Sequence, residues 1–286
     1  LNKLYSLSKD ADVLVENFSA NVKKRLKINY EHIIKTNPKI IYASINGISD
    51  DIDRKYYDAI AQAESGLISL NGEDDDMKIS TSIVDAFSGM KLAFAISTAL
   101  YYREKTGKGQ KLSVSMKGSA FDLLEQNLIS SFVTGRNPEK VGNMDNAIAP
   151  FGLFKTNDGQ IMLAIGNNSI WDSFSTFLCK ENPNFKKELF LTNSLRLSSI
   201  KLLKNQIELA FNKYSTEEIL KMLHDLNVPC GKVNKMSDVL EDQENFNQKL
   251  LLKVRHSKAG EIVVSTGGIK YSLFDPENYK ESPQLE

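Results

Sequence analysis

The amino-acid sequence predicts an α/β protein whose first part is a helix-covered sheet and whose later part is a smaller α+β domain. Three observations carry that reading. Short apolar strands alternate with helical segments through the first half, the order expected when helices pack on a largely parallel sheet. Lys39–Ile45 (KIIYASI) is nearly continuously apolar, as a strand buried on both faces requires. Beyond a polar stretch over 134–150, which holds Gly135, Pro138, Gly142 and Pro150, hairpin signals replace the alternation.

The elements follow in order. Asp12–Glu16 (DVLVE) reads as a short strand, and Ala20–Leu26 and Tyr30–Lys35 as helical turns. Lys55–Leu70 places Ile60, Ala63, Leu67 and Leu70 at helical spacing. Ile83–Arg103 is the strongest helix; its apolar residues surround the axis, which predicts a core helix. It ends at Thr106-Gly107-Lys108-Gly109, a glycine stop. Gln110–Met116 is a strand and Gly118–Phe132 a helix. Phe151–Lys155 and Gln160–Ile165 flank Asn157-Asp158-Gly159, a hairpin signature. Helices are expected over Ser169–Leu178, Leu197–Lys213 and Thr216–Leu226, and a second hairpin over Leu251–Arg255 and Glu261–Ser265 around Lys258-Ala259-Gly260.

Composition excludes several classes. The charge balances to zero, whereas phosphate-backbone binding needs a basic excess or stripe. Lys23–Arg25 and Lys201–Lys204 read as solvated helix faces. The longest apolar run, Met90–Tyr102, is interrupted by Lys91, Ser97 and Thr98, short of the roughly 20 residues a membrane span needs. Leu1–Asp10 is polar and mixed, unlike a signal peptide. The two cysteines, Cys179 and Cys230, form neither a disulfide framework nor a metal motif. The expectation is a cytoplasmic enzyme with two inert thiols. The chain opens on Leu1 rather than Met, which leaves room for a longer native polypeptide.

No G-x-G-x-x-G follows a strand, no G-x-S-x-G occurs, and His32, His224 and His256 stand isolated; nicotinamide binding, serine hydrolysis and histidine metal sites lack their residues. Asp85 is the carboxylate of interest and reads in two ways. At the start of an apolar helix it can cap the N-terminus. Beside the small residues Ala86, Ser88 and Gly89 it can instead be an ionised, accessible nucleophile, with Gly89 admitting a close substrate approach. Asn17 and Phe18 follow a strand end, where open α/β sheets gather ligands; Asn17 and Arg25 also read plainly as a turn residue and a surface cation.

Taken together, 11–18 (ADVLVENF), 37–48 (NPKIIYASINGI), 57–72 (YDAIAQAESGLISLNG), 85–90 (DAFSGM), 102–110 (YREKTGKGQ), 148–167 (IAPFGLFKTNDGQIMLAIGN) and 227–234 (NVPCGKVN) resemble, in order and spacing, the class III coenzyme A transferases. These are the formyl-CoA:oxalate, carnitine and dicarboxylate CoA-transferases. The resemblance implies a Rossmann-like large domain over 1–134, a linker and active-site loop over 135–150, and over 151–286 a smaller α+β domain with the start of a C-terminal return segment. It also implies that the family's N-terminal segment and C-terminal tail are missing.

By the same resemblance Asp85 is the nucleophile. Asn17 and Phe18 contact coenzyme A, Arg25 faces its phosphates, and Lys55, Tyr56, Tyr57 and Asp58 form another coenzyme-contacting segment. The loop over the reacting centre runs from Gly142 and Asn143 to Gly152. Departures from the family pattern fall at Ser19-Ala20-Asn21, at Asp145-Asn146-Ala147 and at Lys232. The implied reaction passes CoA through an aspartyl anhydride and an aspartyl-CoA thioester, from a succinyl-CoA donor to an unassigned carboxylic acid, with no metal or redox cofactor, in an interlocked homodimer. The related α-methylacyl-CoA racemases carry histidine where this chain has Tyr57, a poor base given a phenol pKa of about 10. A non-catalytic truncated paralogue that binds CoA is the remaining alternative.

Overall fold

Strand β2 (Ile41–Asn46) organises the first half of the molecule. In the computed structural model, which describes residues 1–273, its Ile41, Tyr42, Ala43 and Ser44 are all buried. They are buried because β2 is the central strand of a three-stranded sheet, between β1 (Val13–Glu16) and β3 (Gln110–Ser115). Both pairings are parallel, with Val13 opposite Ile41 and Ile41 opposite Gln110. The chain divides into two compact units, Leu1–Ala149 and Pro150–Glu286, and this sheet belongs to the first.

Helices fill the rest of that unit: α1 (Asn2–Asp10), α2 (Ala20–Leu26), α3 (Tyr30–Ile33), α4 (Asp58–Ser65), α5 (Leu67–Leu70), α6 (Ile83–Thr106), α7 (Met116–Leu123) and α8 (Glu125–Thr134). The helix expected over Lys55–Leu70 begins only at Asp58 and breaks at Gly66, whose φ of 92° belongs to the left-handed region that glycine enters freely. The helix expected over Gly118–Phe132 breaks at Leu124. Two glycines end α6 for different reasons: Gly107 takes the left-handed cap (φ 71°), and a Cβ on Gly109 would lie 2.3 Å from the Ile40 carbonyl oxygen where β3 joins β2.

The core reading of α6 is corrected. Only Val84, Ser88, Leu92 and Ala99 are buried, a single stripe packed toward β2, β3, α4 and α7, while Met90, Phe94, Tyr101 and Tyr102 are exposed. A helix apolar on all sides buries only the side for which the unit supplies a partner. At 24 residues α6 is also long and apolar enough to cross a membrane by length and composition alone, longer than its interrupted run suggested.

In the second unit β4 (Phe151–Lys155) and β5 (Gln160–Ala164) form the expected hairpin. A third strand, β6 (Cys230–Lys232), pairs antiparallel with β5 and was not foreseen. Helices α9 (Asn168–Glu181), α10 (Asn193–Ser198), α11 (Ile200–Phe211) and α12 (Thr216–Asp225) enclose an aromatic core of Phe154, Trp171, Phe174, Phe190 and Phe211. The single helix expected over Leu197–Lys213 is interrupted at Ser199. Arg196 is buried there, its guanidinium 4.7 Å above the Trp171 ring. Short helices α13 (Met236–Glu241) and α14 (Gln243–Asn247) lead to the second hairpin, β7 (Leu251–His256) with β8 (Gly260–Ser265). Both cysteines are free thiols, and burial pushes that of Cys230 up. The start of a return segment was expected within 151–286, of which residues 274–286 lie outside the described residues.

Candidate functional site

The parallel sheet puts the carboxyl ends of β1 and β2 at one edge, and open α/β sheets bind ligands outside such ends. A cleft of about 530 Å³ lies there, wholly within the first unit. That volume suits a small-molecule site. One wall is the β1–α2 turn, Asn17 to Ala20; another is the loop after β2 with Asp50 and Ile52; a third is Arg54 to Tyr57; and Asp85 and Met116 complete the lining.

Asp85 is the third residue of α6 and is exposed. The helix is capped from elsewhere. Asp58, buried at the start of α4, accepts the Val84 N–H at 2.8 Å and the Asp85 N–H at 3.4 Å through Oδ1. The Gln62 amide donates to its Oδ2 at 2.6 Å. Distant Asp58 therefore does the work assigned to Asp85 in the capping reading, and among the described residues no side chain or backbone group donates to the Asp85 carboxylate. Burial, and next the negative charge of Asp58, push the Asp85 carboxyl above the usual carboxylate range, giving a more basic oxygen than an ordinary surface aspartate. One turn on, nothing lies within 4 Å of where a Gly89 Cβ would be, so the space beside the carboxylate is open.

The third wall is braced from behind. Glu64 on α4 binds Arg54 at 2.6 Å and Lys117 at 3.5 Å, and accepts the Tyr56 hydroxyl at 3.1 Å. The phenol is pushed up to about 12, by burial and then by Glu64. Tyr56 also packs on Gly47, where a Cβ would lie 2.3 Å from its own Cβ. These contacts hold the strand-like segment that carries Lys55 and Tyr57, and the Tyr57 ring is 67% exposed at the cleft.

Of the residues expected from sequence, the cleft brings together Asn17, Phe18, Lys55, Tyr56, Tyr57 and Asp85. Arg25 is exposed on α2 and is not part of the lining, and Asp58 stands behind it, bound to the start of α6. Gly142 and Asn143 lie in the first unit, where the Gly142 N–H donates to the Gly72 carbonyl at 3.1 Å. Gly152 lies in the second unit, opposite Leu163 in the β4–β5 hairpin.

The solvated-face reading of Lys23–Arg25 is corrected at its first residue. Lys23 is 6% exposed and ion-paired to Glu16 at 3.1 Å and Asp50 at 3.3 Å, because it shares the inward face of α2 with buried Ala20. Sequence reasoning also passed over Glu16, Asp50, Arg54 and Glu64. The available signal was a run of carboxylates and cations around two strand ends, too many to occupy so small a surface unpaired.

Residues 2–286 match the family model described as CoA-transferase family III. The chain is 30% identical over 284 residues to the acetyl-CoA:oxalate CoA-transferase of Acetobacter aceti, covering 96% of this chain and 71% of that one. It is 28% identical to the succinyl-CoA:glutarate CoA-transferase of Mus musculus, covering 96% of this chain and 64% of the relative, so it spans less than two thirds of that protein's length. The crystal structure of a CAIB/BAIF family protein from Brucella suis superposes with a TM-score of 0.75 at 27% identity, over 92% of this chain and 74% of that one. A structure from M. tuberculosis superposes at 0.81 with 22% identity, over 96% of this chain and 74% of that one, a likeness of fold alone.

Proposed function

The chain belongs to CoA-transferase family III, and from that premise we propose that it moves coenzyme A from an acyl-CoA donor to a carboxylic acid through the carboxylate of Asp85. The observation that carries the reading is the division of labour between two aspartates: Asp58 caps α6, which leaves the Asp85 oxygens uncommitted on the wall of the cleft.

The steps balance without any group beyond the two substrates. An Asp85 oxygen attacks the donor thioester carbonyl and expels the CoA thiolate, giving a mixed anhydride. The thiolate attacks the Asp85 carbonyl and releases the donor acid, leaving an aspartyl-CoA thioester. The acceptor carboxylate attacks that thioester, expels the thiolate again and forms a second anhydride. Finally the thiolate attacks the acceptor-derived carbonyl, and Asp85 is regenerated as product acyl-CoA leaves. Covalent capture divides one difficult exchange into easier ones, and the raised basicity of Asp85 favours the first attack.

Asn17, Phe18, Lys55, Tyr56 and Tyr57 supply the coenzyme-facing walls, with Lys55, Arg54 and, further out, Arg25 as cations for its phosphates. Residues 143–149, in the first unit, supply the loop that excludes water and offer the tetrahedral oxyanions those N–H groups not already given within the protein, as the N–H groups of Gly142, Met144, Ala147 and Ile148 are. The donor is succinyl-CoA and the acceptor a small dicarboxylate, a choice supported by relatives named for succinyl-CoA with glutarate or mesaconate. The exposed apolar face of α6, with Met90, Phe94 and Tyr101, supports pairing with a second copy of the chain.

The test is to incubate the protein with succinyl-CoA and a pool of carboxylic acids and to follow new CoA thioesters by mass spectrometry, beside Asp85→Asn. A new thioester that Asp85→Asn does not make supports the reading and identifies the acceptor. Exchange that survives in Asp85→Asn removes the aspartyl mechanism, and no exchange by folded protein that binds CoA removes the transferase reading.

A further inference from the structure

Along one side of the cleft runs a chain of alternating charges, buried at Glu16 and Lys23, half-buried at Asp50 and exposed at Lys111. Glu16, the last residue of β1, has a side chain only 2% exposed. Its Oε2 accepts the Phe18 N–H at 2.8 Å, and its Oε1 accepts a proton from Lys23 Nζ at 3.1 Å. An ammonium has three protons to give. Lys23 directs the others to Ser44 Oγ at 3.1 Å and Asp50 Oδ1 at 3.3 Å. The second oxygen of Asp50 meets Lys111 Nζ at 2.7 Å. Lys23 lines the cleft, yet its protons are committed to protein acceptors and it offers none to a ligand anion.

The chain joins β3, the loop after β2, helix α2 and the end of β1, and it terminates on the backbone of Phe18. Buried ion pairs of this kind are costly to desolvate, and an apolar replacement of equal volume often stabilises a fold as well or better. What they supply that an apolar cluster does not is direction. The Glu16 carboxylate is clamped by Lys23 on one oxygen and grips the Phe18 N–H with the other, which fixes the turn displaying Asn17 and Phe18, a residue 48% exposed.

We propose that Glu16 and Lys23 are positioning residues that set the coenzyme-facing wall of the cleft through the Asn17–Phe18 turn. The proposal rests on the acyl-CoA reading above. Neither residue touches the reacting atoms. Their effect falls on the binding of the coenzyme moiety, common to donor and product, and not on the chemistry at Asp85.

The test measures the affinity of the full chain for free CoA by titration calorimetry, with KM and kcat for the acyl-CoA. The proteins are the wild type, Glu16→Gln, Phe18→Ala and the double variant Glu16→Gln/Phe18→Ala. Glu16→Gln keeps the shape and removes the charge that Lys23 clamps. It is expected to raise Kd and KM about tenfold, the scale of one charge-assisted hydrogen bond, with kcat at saturation within about twofold of wild type. The double variant is expected to lose less than the sum of the two single losses, because Glu16 acts through the turn that carries both Asn17 and Phe18. Additive losses, or equal losses in kcat and kcat/KM, overturn the proposal. Glu16→Gln/Lys23→Met removes both charges, so neither is left buried without its partner; it provides a folded variant if Glu16→Gln alone is unstable, and its expected rise in KM is the same. Wild type that binds CoA while the variants bind equally well overturns the positioning role alone. Wild type that does not bind CoA overturns the acyl-CoA reading, and the proposal with it.

Discussion

Asp58 is the residue on which the start of α6 depends, and its replacement gives a quantitative expectation. Val84 is fully buried, and among the described residues its N–H reaches only the Asp58 carboxylate, at 2.8 Å. Asp58→Ala strands that donor, at a cost of about 1–3 kcal/mol for a buried unsatisfied group, a range that already contains the roughly 1 kcal/mol of a lost helix cap. The Gln62 amide adds little, since it also donates to the Ile79 carbonyl at 3.2 Å. A loss near 2 kcal/mol corresponds to a fall of about 4–8 °C in melting temperature for a unit of this size. Asp58→Asn keeps an acceptor at the same place and trades a charge-assisted bond for a neutral one, which costs less than about 1 kcal/mol. The sole tryptophan, Trp171, lies in the second unit, so its fluorescence does not report this loss. Urea unfolding followed by circular dichroism, with hydrogen exchange at the Val84 amide, does. Equal losses in Asp58→Asn and Asp58→Ala, or a Val84 amide exchanging no faster in Asp58→Ala than in wild type, would refute the capping role.

Three further expectations follow from the same geometry. Because burial and then Asp58 raise the Asp85 carboxyl, ionising it is harder in the folded chain than in the unfolded one; its contribution to stability is fully present below the ordinary carboxylate range and is lost as pH rises through the raised value. Asp85→Asn should therefore be more resistant to urea than wild type at neutral pH and lose that advantage in acid; an advantage that grows in acid would reverse the sign. Asp58→Asn removes one of the two causes, so carbon NMR titration of Asp85 should show its midpoint moving down toward the ordinary range, and an upward or absent shift would contradict the assignment. Gly47→Ala forces the new methyl against Tyr56, 2.3 Å from its Cβ, and should cost about 1–3 kcal/mol with a raised KM for acyl-CoA; an unchanged melting temperature and KM would show that the third wall is not set by that contact.

What was legible in the sequence was what neighbouring residues decide. Strand β2 could be read because both of its faces are buried and its side chains say so. The β4–β5 hairpin could be read because Asn157-Asp158-Gly159 supplies the turn. Strand β6 could not, since three residues carry no alternation and its place is set by Leu163 pairing with Cys230 across the chain. The inward turn of Lys23 was hidden in a run of cations, because its acceptors Glu16, Ser44 and Asp50 come from separate segments.

Asp85 shows why the site itself was harder to read than the fold. Capping and nucleophilic attack draw on the same oxygen lone pairs, so a carboxylate in the first turn of a helix serves one role at the expense of the other. Local sequence favours the cap, since the first turn of α6 contains no other acidic residue. The competition is resolved by a residue 27 positions earlier: Asp58, fixed by Gln62, satisfies the helix and places its charge where it keeps Asp85 basic. A single buried aspartate thus leaves the Asp85 carboxylate uncommitted and, after burial, adds to its basicity, and the comparison of Asp58→Asn with Asp58→Ala separates the two effects.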